Sequence, residues 1–216
     1  MTQNTKRIAV IAANGKSGRA IVQEAVDRGF DVTAIVRGEN KTVAQHALSK
    51  DLFDLTADDL TGFDAVVDAF GTWAPDTLSQ HSASLKLLAD ALSGTNVRLI
   101  VVGGAGSLYL NPEHTLQLSQ SEGFPAAFQP LATAMGESLA ELRQRSDVKW
   151  TYVSPAADFR ADGPRTGSYV LAGEEFTTNA DGESAISYAD YAIAIVDELS
   201  ADPASAHIGQ RISVRW

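Results

Sequence analysis

The spacing Ala12-x-x-Gly15-x-x-Gly18 can hold phosphate. The run Ile8-Ala9-Val10-Ile11-Ala12-Ala13-Asn14-Gly15-Lys16-Ser17-Gly18 passes from an apolar strand, through small residues, into a helix. Such a turn aims backbone N–H groups and the positive end of a helix at an anion. It approximates the G-x-G-x-x-G pattern of dinucleotide-binding turns, with alanine at the first position. Ala12 can serve there if that residue needs no positive φ. Gly15 would let the backbone approach a pyrophosphate, and Gly18 would let the helix pack closely on the strand. Asn14, Lys16 and Ser17 complete the candidate phosphate-binding set. Gly15-Lys16-Ser17 also mimics the end of a Walker A loop. That motif needs a glycine five residues earlier, where Val10 stands. An ordinary strand–helix turn with no ligand is the plainer alternative.

A second position separates the two nicotinamide dinucleotides. At the end of the second strand a carboxylate accepts from the ribose 2′-OH of NAD, whereas an arginine pairs with the 2′-phosphate of NADP. Arg37 stands there, followed by Gly38-Glu39-Asn40-Lys41. Its guanidinium fork suits phosphate, so NADP(H) is favoured over NAD(H). A solvated strand end is the bland alternative, and Glu39 turned inward would favour NAD.

These residues need a scaffold, and the hydrophobic rhythm supplies one by alternating strand and helix, which predicts α/β with a parallel sheet. Strands are expected at 7–12, 31–36, 46–48, 65–70, 98–102 and 150–154, with helices at 17–28, 78–92 and 130–145. From Pro155 the texture changes. Gly163-Pro164, Gly167, Gly173 and Gly182 punctuate short segments that read as turns and a hairpin. A last helix at 187–200 and a strand at 208–214 close the chain. The reading is a single Rossmann-type domain over 1–216, a doubly wound parallel sheet. Residues 155–216 form a small C-terminal lobe over the carboxyl edge, where such sheets bind ligands.

Composition narrows the partners. The chain has 216 residues, a net charge of −10 and no cysteine. The 17 lysines and arginines are scattered, so no basic patch invites nucleic acid against the acidic field. No run is long enough to span a membrane. The start, Met1-Thr2-Gln3-Asn4-Thr5, carries no apolar signal segment. Lack of cysteine removes disulfides and thiolate chemistry together and fits a cytoplasmic protein. His46, His81, His114 and His207 have no spacing with acids that suggests a metal. Oligomeric state is left open.

Several segments together resemble the atypical short-chain dehydrogenase/reductase-like proteins of the NAD(P)H-flavin reductase and biliverdin-IXβ reductase type, and more remotely the NmrA-like redox sensors. The likeness rests on the Ala12–Gly18 turn, Asp51-Leu52-Phe53-Asp54 and Asp64–Gly71. It continues through Val101-Val102-Gly103-Gly104-Ala105-Gly106-Ser107-Leu108-Tyr109, Trp150-Thr151-Tyr152-Val153-Ser154-Pro155-Ala156 and Ile186-Ser187-Tyr188-Ala189-Asp190-Tyr191-Ala192. The resemblance implies that Asp51 and Leu52 flank the adenine. It implies that Ala69, Phe70 and Gly71 line the path to the nicotinamide ribose, and that Gly103, Gly104, Ser154, Pro155 and Ala156 sit beside the nicotinamide. Asp51 and Asp54 read equally well as solvated loop carboxylates.

Typical short-chain dehydrogenases work through Tyr-x-x-x-Lys. Four positions after Tyr109, Tyr152, Tyr169, Tyr188 and Tyr191 stand Glu113, Ala156, Gly173, Ala192 and Ile195. Reducing a ketone creates a localised oxyanion that needs a donor. Hydride delivered to a flavin or quinone spreads its charge, and water can supply the proton. The expected activity is therefore reduction of a small-molecule acceptor, a flavin (FMN or FAD) or quinone-like ring, by direct hydride transfer. Ser107, Tyr109 and His81 are the candidates for orienting it. Each has a structural alternative: a turn hydroxyl, a core aromatic, a helix histidine. Trp73 and Phe159 read as an aromatic wall or as core. The alternative function is a nicotinamide-binding redox sensor without turnover.

Overall fold

The computed structural model describes residues 5–216. The first four residues, where the sequence lacks an apolar signal segment, lie outside the described part. Among the described residues no helix is long and apolar enough to cross a membrane.

The parallel strands are continuous apolar runs because both faces of the sheet are covered. β1 (Arg7–Ile11), β2 (Asp31–Val36), β3 (His46–Ser49), β4 (Ala65–Asp68), β5 (Arg98–Val102) and β6 (Lys149–Ser154) are parallel. β10 (Gln210–Arg215) extends them beside β6, and β8 (Val170–Ala172) closes the far edge antiparallel to β10. The order is β3-β2-β1-β4-β5-β6-β10-β8. Chain direction across the sheet reverses between β1 and β4, and that switch point opens a crevice at the carboxyl ends.

Side chains alternate between two cores. Ile8 and Val10 of β1 face α1 (Lys16–Asp27) and α4 (Tyr188–Ser200), with Ile21, Val22, Ile195 and Val196. Ala9 and Ile11 face the other way, toward α2 (Gln80–Leu92) and α3 (Gln129–Leu142), with Leu85, Leu88, Leu139 and Leu142. Two helices on each face make the doubly wound architecture that the alternating pattern predicts.

The region after Pro155 differs from the expected hairpin. β7 (Asp158–Arg160) pairs parallel with β9 (Ala185–Ser187), while β8 between them joins the main sheet instead. Asp190 pins this lobe. Its carboxylate accepts from Thr166 N (3.0 Å), Thr166 Oγ1 (2.5 Å), Gly167 N (3.0 Å) and Trp216 Nε1 (2.6 Å). Burial pushes its pKa up, but those bonds, led by Thr166 and Trp216, outweigh burial and hold it below the usual range. Ser187 Oγ caps α4 by accepting from Asp190 N at 3.0 Å.

Candidate functional site

The turn after β1 meets the requirements for holding an anion. α1 starts at Lys16 with Gly15 as cap residue, no capping side chain and no acid in its first turn. The Gly15 N–H donates back to Ala12 O (2.9 Å), and the first helical bond is Arg19 N to Gly15 O (2.9 Å). Among the described residues the amides of Lys16, Ser17 and Gly18 have no protein partner, the normal state of a first helical turn lacking a cap. By contrast α4 satisfies its own start through Ser187.

Ala12 adopts φ +54°, the left-handed region. This corrects the expectation that alanine serves here only without positive φ: the missing glycine is needed for its backbone, and Ala12 bears the strain. Gly18 has the packing role expected. A Cβ there would lie 2.7 Å from Ala12 O and 2.9 Å from Ala13 Cα. At Gly15 a Cβ would come within 3.2 Å of Ala12 O.

Asn14 is occupied otherwise than as a direct ligand. Its Nδ2 donates to Glu39 O and its Oδ1 accepts from Lys41 N, both at 2.8 Å. It clips the loop after β2 onto the phosphate turn. Arg37 is exposed at the end of β2, and no hydrogen bond or ion pair engages its guanidinium among the described residues. Asp51 Oδ1 caps the short turn Leu52–Asp54 by accepting from Phe53 N (2.9 Å). The Leu52 side chain is buried among Leu55, Leu85 and Leu88, so only its backbone is free to flank a ligand.

Beyond Ser17 the crevice widens into a cleft of about 770 Å³, a size suited to a small organic ligand. Ala69, Phe70, Gly71, Gly103, Gly104, Pro155 and Ala156 all line it, with His81 and Ser107. Trp73 and Phe159 line it too; Trp73 is wall, while Phe159 is both wall and an extension of the core, packing on the buried Tyr191. Its outer side comes from the segment 118–135, including Phe124, Phe128, Leu131, Ala132 and Met135. Trp73 is 68% exposed and meets Phe128 edge-on, with ring centroids 5.9 Å apart.

Of the residues expected at the nicotinamide and acceptor end, Tyr109 and Ser154 fall outside the cleft lining. Tyr109 stacks on His114 (4.5 Å, 9°) under the Arg211 guanidinium. The loop that follows it folds back, Leu110 N donating to Leu116 O at 2.8 Å, and this carries the ring away. Ser154 is fully buried, and its Oγ donates to Gly104 O at 2.8 Å. Ser107 does line the cleft, but its Oγ accepts from Arg211 Nη1 at 3.0 Å. His81 Nε2 lies 3.1 Å from Thr72 O, and burial, partly offset by that bond, lowers its pKa.

The glycines after β5 are required by what lies beneath them. A Cβ on Gly103 would fall 2.1 Å from the Tyr152 ring, and one on Gly104 2.9 Å from Met135 Sδ. Gly104 N donates to the Tyr152 hydroxyl at 3.2 Å, and burial pushes that phenol up to about 12. Asp68, which drew no attention in the sequence, ends β4 with 5% exposure. Its Oδ1 accepts from Phe70 N (3.0 Å). Burial, only partly offset by that bond, pushes its pKa up to about 6. Asp68, His81, Ser84 and Tyr152 share a cavity of about 10 Å³ beneath the cleft floor, room for one water at most. An acid ending the apolar run Ala65-Val66-Val67 was the available signal; Phe124, Phe128 and Met135 carried none.

Known proteins match this arrangement. Residues 12–202 match the family model described as NAD(P)H-binding. The chain is 46% identical over 196 residues to the uncharacterized protein YwnB of Bacillus subtilis (strain 168), covering 89% of this chain and 92% of that one. A crystal structure named as a "putative NADH-flavin reductase", from Streptococcus pneumoniae TIGR4, is 56% identical. It superposes with a TM-score of 0.94 over 97% of this chain and 99% of that one. Another, named as a "putative epimerase", from Bacteroides thetaiotaomicron, is 33% identical with a TM-score of 0.85, over 99% and 98% of the two chains. One fold thus carries two differently named activities, and function must be argued from the site. The chain belongs to the NAD(P)H-binding family, with a Rossmann-type core and an added C-terminal lobe.

Proposed function

We propose that the protein is an NAD(P)H-dependent oxidoreductase that reduces a flat conjugated acceptor of flavin or quinone type. The observation that carries this reading is the make-up of the cleft: no lysine lines it, and Tyr188 is its one tyrosine. Tyr152 and Tyr191 are buried with their hydroxyls bonded to Gly104 N and Val153 O, and Tyr169 donates to Asp197. α3 brings only Leu131, Ala132 and Met135 to the cleft. Such walls can stack and desolvate a ring but offer little to a ketone oxyanion. The name of the Streptococcus relative supports the same reading.

When bound, the dinucleotide supplies the hydride, and overall NAD(P)H, a proton and the acceptor give NAD(P)⁺ and the reduced acceptor. The amides of Lys16, Ser17 and Gly18 hold the pyrophosphate. Arg37 takes the 2′-phosphate, so NADPH is preferred to NADH, and Asn14 keeps the 39–41 loop against the turn. Asp51 keeps one carboxylate oxygen for the adenine side. Ala69–Gly71, Gly103–Gly104 and Pro155–Ala156 form a floor that excludes water, and solvent supplies the proton.

The test is absorbance at 340 nm with purified protein, NADPH or NADH, and a panel of flavins and quinones. Consumption that depends on both protein and acceptor is expected. Tight cofactor binding without consumption of any acceptor would replace this reading with that of a redox sensor.

A further inference from the structure

The cleft has an electrical sign at its acceptor end. Among the residues that line it, the only carboxylates are Glu122 and Asp158, and there is no lysine or arginine. Glu122 is exposed and forms no ion pair among the described residues. The nearest cations behind the walls are already engaged. Arg211, whose side chain is fully buried, pairs with Glu174 while donating to Ser107. Arg160 Nε lies 2.6 Å from Asp158 Oδ2. Lys16 and Arg37, which carry no ion pair among the described residues, belong to the dinucleotide end.

Granted the reductase reading above, we infer that the acceptor is an uncharged planar ring, a flavin without phosphate or a quinone, and that the cleft discriminates against phosphorylated flavins. A phosphate brought to this end would exchange water for aromatic walls and find no counter-charge. It would also approach Glu122, the lining carboxylate that no cation offsets among the described residues, whereas Asp158 is already paired with Arg160. A dianion about 7 Å from one carboxylate in water loses on the order of tenfold in affinity. Uncharged rings pay neither cost. Trp73 and Phe128 at the mouth and the Phe159–Tyr188 pair, with centroids 4.0 Å apart, offer them faces and edges to stack on.

Riboflavin and FMN differ only in the 5′-phosphate, which makes them the probe pair. Their binding to full-length protein saturated with NADP⁺ is measured by quenching of flavin fluorescence. Their turnover, beside that of a naphthoquinone, is measured at 340 nm with NADPH. Riboflavin is expected to bind about tenfold more tightly than FMN at low ionic strength. Salt should narrow the gap, and Glu122→Lys should close or reverse it. FMN binding as tightly as riboflavin, or more tightly, at low salt overturns the inference, and FMN turnover in that case leaves the reductase reading standing. A preference for riboflavin in the fluorescence titration with no acceptor consumed supports the anion-excluding cleft and removes the reductase reading instead.

Discussion

The two ends of the crevice solve opposite problems. At the β1 turn, binding capacity lies in the backbone: three amides left open by an uncapped helix, and small residues that keep side chains out of the way. At the acceptor end it lies in side chains: aromatic walls, a glycine floor held from below by Tyr152 and Ser154, and no free cation. On the proposed reading, the first end recognises charge through backbone geometry. The second is built from apolar surface, and its selectivity follows from what it lacks. A backbone-built site should fail abruptly when a side chain intrudes, whereas a side-chain-built site should change by degrees.

Intrusion at the turn is the largest expected effect. Gly18→Val places carbon 2.7 Å from Ala12 O and 2.9 Å from Ala13 Cα, both backbone atoms that cannot rotate away. A destabilisation of about 3 kcal/mol or more and loss of detectable NADPH binding are expected, by denaturant titration and calorimetry. Cofactor binding that survives in this variant would break the claim that the turn's tight packing creates the site.

Under the acceptor end, Asp68 contributes a pH dependence. Its folded pKa of about 6 lies above the unfolded value near 3.8. Between those values the native state holds a proton that the unfolded state has released. The contribution of Asp68 to stability is therefore fully present below about pH 4, is lost as pH rises through about 6, and stays lost above. A shift of this size corresponds to about 3 kcal/mol. Asp68→Asn keeps an oxygen for Phe70 N and has no charge to bury. It is expected to be more stable than the parent at pH 8 by about 1–3 kcal/mol and equal to it near pH 4. Urea midpoints of both proteins at the two pH values check this, and a variant-minus-parent difference that does not grow from pH 4 to pH 8 contradicts a buried, raised carboxyl.

A charge is also decisive at the other end. Arg37→Ala removes an unpaired guanidinium without touching the core, so the fold should be unaffected. If Arg37 meets the 2′-phosphate, KM for NADPH should rise roughly 10–100-fold, as for a lost charge-assisted hydrogen bond of about 1.5–3 kcal/mol. KM for NADH should barely move. Equal losses for the two cofactors would remove the assignment.

The same contrast explains what could be read from the chain. The conformation of the turn was legible because it is local: strand, small residues and helix adjoin in sequence, and helix α1 starts within one residue of the expected position. The parallel core was legible because apolar runs such as Val66–Val67 and Leu99–Val101 need cover on both faces. The acceptor end was legible only in part: its floor and the wall residues Trp73 and Phe159 were readable, but the segment 118–135 that supplies its outer side gave no local signal, since the cleft assembles residues from 17 to 188. Tyr109 and Ser107 were candidates for orienting the acceptor and Ser154 for flanking the nicotinamide, and only tertiary contacts reveal that the Tyr109 ring stacks on His114 while the two serine hydroxyls bond Arg211 and Gly104. The glycines after Pro155 suggested a hairpin. Strand β8, lying between β7 and β9 in sequence, instead pairs with the distant β10, leaving β7 and β9 to each other. Glycine marks where a chain bends and says nothing about which strand it meets next.

The smallest effect concerns the one residue at which the turn departs from its pattern. Ala12 sits at φ +54° with its carbonyl accepting from Gly15 N at 2.9 Å. An alanine in that region costs about 1 kcal/mol relative to a relaxed backbone, whereas glycine visits it freely but loses more entropy on folding, by about 0.5–1 kcal/mol. The lost methyl, half-buried against the α2–α3 core, works in the same direction as that entropy. The terms nearly cancel, and Ala12→Gly should shift stability by less than about 1 kcal/mol, a melting-temperature change of only a few degrees for a chain of this size. NADPH affinity should be unchanged, because the bound groups are the amides of residues 16–18 and their placement follows from Gly18 and the Gly15–Ala12 bond. A large gain in affinity would mean that the alanine distorts the turn in the absence of cofactor, and that this end is not preformed after all.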